Sequence, residues 1–138
     1  MTQQDTYQEL FQAVQNEKGN SDLQKINVEL VNDSLKFLAE MQDKVGVVSF
    51  DEDAKLRRII DNSKRLLKEL YERREKKVMA MAIDKSRTKT FLIDTTAMLQ
   101  EEKIMFESIV KLLDSFRDPK MKQLESIQES AKPMMISA

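Results

Sequence analysis

Residues 55–89 read KLRRIIDNSKRLLKELYERREKKVMAMAIDKSRTK, with no glycine or proline anywhere inside. Leu56, Ile59, Ile60, Ser63, Leu66, Leu67, Leu70, Val78 and Met81 mark an apolar stripe along one face of an α-helix. At about 1.5 Å per residue this is roughly 50 Å of continuous helix. A helix that long exceeds what a chain of 138 residues needs to cover itself. Part of its surface is therefore expected to be covered by another subunit.

The same periodicity extends outward in both directions. Upstream, Tyr7, Leu10, Phe11 and Val14 predict a short amphipathic helix over about Asp5 to Lys18, stopped at Gly19. After the polar connector Asn20, Ser21 and Asp22, the series Val28, Val31, Leu35, Leu38, Met41 and Val45 predicts a second helix. Asn27 is its expected N-cap and Gly46 its end. Ser49 or Asp51 opens the long helix, with Glu52 and Asp53 in a first turn that favours negative charge. Downstream, Arg87 to Thr96 reads as a connector and Thr95 or Thr96 as the start of a fourth helix, whose apolar face is Phe106, Ile109, Val110, Leu113 and Phe116. Pro119 is expected to end it. The predicted fold class is all-α: a helical bundle with one long central helix, completed by oligomerisation.

Composition narrows the function classes. The chain has 2 Gly, 2 Pro and 6% aromatic residues, too little turn chemistry for a many-stranded sheet. It contains no cysteine and no histidine, which removes thiolate chemistry, the commonest general base and the commonest metal ligand. An enzyme is not expected, nor a cofactor or metal. Consecutive acids at 51–53 and 101–102 complement helix starts, and the Glu-x-x-His spacing of a bundle metal site is impossible without histidine. No apolar run approaches the roughly 20 residues that span a bilayer, and MTQQDTYQEL lacks the form of a secretory signal, so an intracellular protein is expected. Charge is divided along the chain. Residues 55–89 hold 13 basic against 5 acidic groups, whereas residues 1–54 hold 4 against 11. That division favours contact between an acidic and a basic half and keeps nucleic-acid contact open.

KLRRIIDNSKRLLKELYERREKKVMAMAIDKSRT, followed by FLIDTTAMLQEEKIMFESIVKLLDSF, resembles the helical domain of archaeal-type GINS subunits. YQELFQAVQNEKGNSDLQKINVELVNDSLKFL is similar to the same family's opening, so the resemblance covers residues 7–116. It is to the subunit class with its helical domain first and a small β domain second. On this reading residues 1–117 are the helical A domain and 118–138 a linker or frayed tail, the C-terminal β domain being absent, since the tail shows no run of alternating β-branched or aromatic residues. The resemblance implies a non-catalytic scaffold in DNA replication. Its implied partners are other GINS subunits in a homo- or heterotetramer, the MCM helicase and a DHH-type nuclease-like partner. It also implies a cytoplasmic, nucleoid-associated location.

Within the long helix Leu66, Leu70, Tyr71, Arg73, Arg74 and Lys77 are the candidate protein-interface residues. Guanidinium groups make bidentate bonds to carboxylates across an interface, and tyrosine offers a broad apolar face with a polar tip. The alternatives are core packing for Tyr71 and, for the cations, a solvated face with i, i+4 pairs such as Glu69 to Arg73 and Glu72 to Lys76, or a stand-alone nucleic-acid contact through the basic stripe 55–89. Arg87 is read as a cap for the long helix's last carbonyls. Phe106, Ile109 and Leu113 are read as structural. Met79, Met81, Met98, Met105, Met134 and Met135 are read as gap fillers or the cover of a groove.

Overall fold

The computed structural model describes residues 3–89 and 92–137, with side chains over 5–89 and 92–127. Among these residues the chain is all-α, with no strand: α1 Gln3–Gly19, α2 Leu30–Lys44, α3 Phe50–Thr88 and α4 Gln100–Ser137. No helix among them is long and apolar enough to cross a membrane. The long stretch is one unbroken helix of 39 residues.

Several helix ends differ from expectation for local reasons. Asn27 does not cap α2 directly. Its side chain accepts the Glu29 N–H at 3.0 Å and its carbonyl the Leu30 N–H at 3.0 Å, so it makes a turn and the helix opens three residues later, at Leu30. At the far end Gly46 adopts φ +84°, a left-handed conformation that glycine enters without strain. Ser49 caps α3, its hydroxyl accepting the Glu52 N–H at 3.4 Å and its carbonyl the Asp53 N–H at 2.8 Å. Thr95 and Thr96 do not open α4 either. Asp94 takes the Thr96 N–H and hydroxyl in a local turn, the Met98 N–H closes onto the Thr95 carbonyl, and the helix starts at Gln100.

Pro119 does not end α4, which continues to Ser137, so the boundary expected at 117/118 falls inside a helix. An interior proline lacks the N–H that Ser115 would otherwise receive and costs about 3 kcal/mol. Both residues are exposed, which leaves water to solvate the unmatched carbonyl.

Contacts group the chain into two units, Met1–Val78 with Asp94–Leu99, and Met79–Ile93 with Gln100–Ala138. In the first, Leu10, Ala13 and Val14 of α1 pack with Leu30 of α2 and Leu70 of α3, flanked by Ile26, Leu66 and Leu67. A second cluster joins Phe37 and Met41 of α2 to Ile60 of α3, with Tyr7, Leu38, Val45 and Leu56 around it. Each fully buried side chain of this kind contributes about 1.5–3 kcal/mol. The hydroxyls of Ser34 and Ser63 are buried beside these layers with no hydrogen-bond partner among the described residues.

In the second unit Ala82, Ser86 and Phe106 are buried. The Lys85 ammonium stands 5.5 Å from the centre of the Phe106 ring, a favourable cation–π distance. Ser86 and Lys89 both donate to Asp114 at 2.7 Å, and Lys89 also reaches Asp118 at 2.7 Å. On α4 Phe106 is buried and Ile109 and Leu113 are half-buried.

Candidate functional site

In the basic stretch of α3 two side chains turn inward. Leu70, Arg74, Val78 and Ala82 follow at intervals of four and all are buried, so Arg74 occupies a slot in the apolar stripe. Its counterpart on α1 is Glu17, which continues the buried series Leu10, Val14 at intervals of four and three. Arg74 Nη1 donates to Glu17 Oε1 at 2.7 Å and to the Gln24 carbonyl at 2.6 Å, and Nη2 donates to the Ala97 carbonyl at 2.9 Å. The Gln24 N–H donates to the same carboxylate at 3.1 Å.

Lys77 completes the cluster. Its ammonium meets Glu17 Oε2 at 2.5 Å and the carbonyls of Glu17, Asn20 and Asp22 at 2.9, 2.9 and 3.1 Å. These carbonyls belong to the last turn of α1 and the chain just beyond it, where helical partners run out and positive charge is favoured. One carboxylate and two cations thus fasten the end of α1, the segment before α2 and the segment before α4 to α3. Removing one member of a buried ion pair typically costs 3–5 kcal/mol, because the other charge stays behind without its partner.

The six expected interface residues therefore do not form one surface. Leu66 and Leu70 pack in the core. Arg74 is 2% exposed and Lys77 half-buried, both engaged within the chain, which corrects their reading as interface groups. Tyr71 and Arg73 remain outside. Tyr71 is 64% exposed. The Glu75 carboxylate beside it takes a hydrogen bond from its hydroxyl and raises the phenol above its ordinary range. Arg73 donates to Glu69 at 3.0 Å, as the solvated-face alternative had it, and Lys18 joins the same carboxylate at 3.2 Å. The Arg73 hydrogen bond first, and Lys18 second, hold Glu69 below the ordinary glutamate value. Glu72 pairs with Lys68 at 3.9 Å, where a pair with Lys76 was expected.

Arg87 lies exposed in the last turn of α3. Two carbonyls near that end are met by other groups: Thr88 donates its hydroxyl to the Asp84 carbonyl at 2.7 Å, and the Lys89 N–H meets the Lys85 carbonyl at 2.8 Å. Lys89 does this with φ +56°, a left-handed conformation unusual outside glycine. Among the methionines Met98 is buried, Met81 and Met105 half-buried and Met79 exposed, while the side chains of Met134 and Met135 lie outside the described residues. Asp53, read as a helix-start acid, also receives Arg57 at 2.7 Å and the Gly46 N–H at 2.7 Å, and these two bonds lower its pKa.

Glu17 was missed as a functional position, although its place in the α1 apolar series was the available signal. Compared with known proteins, the chain matches no family model, no curated protein and no solved structure.

Proposed function

We propose that this chain is a non-catalytic scaffold subunit of a GINS complex that bridges the MCM helicase and a DHH-type nuclease-like partner in DNA replication. The observation that carries the reading is the set of large apolar side chains the fold leaves open on its two longest helices. Tyr71 and Met79 on α3 and Leu112, Phe116, Leu124 and Ile127 on α4 are all exposed. An isolated soluble chain gains nothing from that arrangement, whereas a subunit covered by neighbours does. The resemblance of the ELYERREKK segment and of the acidic LQEEK helix start supplies the family. Within that segment Tyr71 and Lys76 are left for contact with other chains.

The alternative, a nucleic-acid contact through residues 55–89, is weakened by the ion pairs. Arg57, Lys68, Arg73, Arg74, Lys77 and Lys89 each already face a carboxylate of the same chain. Co-purification with GINS-type subunits, the MCM helicase and the DHH-type partner tests the main reading. Retention of the chain in that assembly is expected. Salt-dependent binding to DNA without any of these partners would favour the alternative.

A further inference from the structure

Two open helix faces in this chain are apolar and carry opposite charge. The buried side of α2 is Leu30, Ser34, Phe37 and Met41. On the opposite side Leu35 and Ala39, with Val28 just before the helix, are exposed. Glu29, Glu40 and Asp43 border that strip on one edge with a single cation, Lys36, among them, and all four are exposed. Among the described residues none of the three carboxylates is in an ion pair.

On α4, Leu112, Phe116, Lys120, Leu124 and Ile127 follow at intervals of four, four, four and three, which keeps them on one side of the helix. All five are exposed. Arg117 stands beside the strip. The acidic groups of the same stretch point elsewhere: Asp114 and Asp118 are held by Lys89, and Glu125, seven residues after Asp118, lies on that same side. The α4 strip is therefore apolar with Lys120 within it and Arg117, which also acts on Asp114, at its border, and the α2 strip is apolar with a net negative edge.

We propose that the two strips are the halves of one contact, in which α4 of one copy of this chain lies along the outer face of α2 of a second copy. Pairing of α4 with α4 is disfavoured, because it would set Lys120 of one copy against Lys120 of the other. Pairing α4 with α2 sets Lys120 and Arg117 against Glu40 and Asp43 while Phe116 and Leu124 cover Leu35. Such a contact is head-to-tail, so each copy keeps one free half and the assembly closes as a ring or grows. It names the surfaces of self-association and stands without the GINS reading.

A mixing experiment tests it by size exclusion with light scattering at tens of micromolar. The parent chain should elute at a multiple of its 16.1 kDa mass. Leu35→Glu and Phe116→Glu, each alone, should associate at least about tenfold more weakly and run as monomers. Mixed in equal amounts they should form a species of twice the single-chain mass, because the first retains an intact α4 and the second an intact α2. A monomeric parent, a monomeric mixture, or a Leu35→Glu chain that assembles like the parent would overturn the proposal. Both positions are exposed, so helical circular dichroism should match the parent. Should either variant lose it, Asp43→Lys and Lys120→Glu ask the same question at two other exposed positions, with failure alone and recovery on mixing expected again.

Discussion

Arg74 Nη1 lies 2.7 Å from Glu17 Oε1, across 57 residues of sequence, and both side chains are buried. The neighbouring Arg73 is exposed and pairs with Glu69 of its own helix, a carboxylate that Lys18 also reaches. Two adjacent arginines thus do different work. Arg74→Ala or Glu17→Gln should lower unfolding stability by about 3–5 kcal/mol, as for other broken buried ion pairs. Arg73→Glu should lower it by about 1 kcal/mol or less. Urea denaturation followed by circular dichroism reads both, and equal losses would contradict the placement of Arg74.

Acid should loosen the second unit through Asp114. Lys89 first and Ser86 second hold this carboxyl below its ordinary value of 3.8. A folded-state pKa below the unfolded one gives stability that is present above the unfolded value and lost as pH falls through the folded one. Lys89, raised by Asp114 and then Asp118, contributes in the opposite sense: its share is present below its ordinary value and lost only as pH rises through the folded one. Asp114→Asn should therefore flatten the loss of stability below pH 3.8. Urea midpoints at a series of acidic pH values test this, an unchanged slope being the adverse result.

Ser34 and Ser63 bury hydroxyls that find no partner among the described residues. Replacing either with alanine removes an unsatisfied polar group at the cost of one small atom. Ser34→Ala and Ser63→Ala should each be neutral or stabilising by up to about 1 kcal/mol in thermal or urea unfolding. A loss of more than that would mean the hydroxyl has a role that the packing does not disclose.

Pro119 interrupts the hydrogen-bond ladder of an exposed helix. Pro119→Ala restores the missing N–H and should slow amide exchange over the turns on either side, with a gain in helical signal. Unchanged exchange there would show that α4 is not continuous through this position in solution.

The four helices were readable because each carries a three-and-four apolar series between recognisable breaks, with Gly19 and Gly46 marking two of the ends. The extent of α4 was not, since Pro119 is a strong local signal against a helix and residues 120–127 beyond it are all exposed. The candidate site was half legible. ELYERREKK drew attention to the right segment, but the sign of a side chain does not tell whether it faces water. Position does: Arg74 falls four residues after Leu70 and four before Val78, and Glu17 three after Val14, so both sit in apolar series. Lys77 was harder to place, because its partners are mostly backbone carbonyls at the end of α1, which no residue type announces.

The proposed role as a GINS scaffold subunit is tested most directly by the mass of the chain in the presence of its proposed partners. Size exclusion with light scattering of the chain mixed with GINS-type subunits, the MCM helicase and the DHH-type partner should give a four-chain GINS assembly that carries the chain and retains both partners. A chain that elutes apart from partners that assemble without it would contradict the claim.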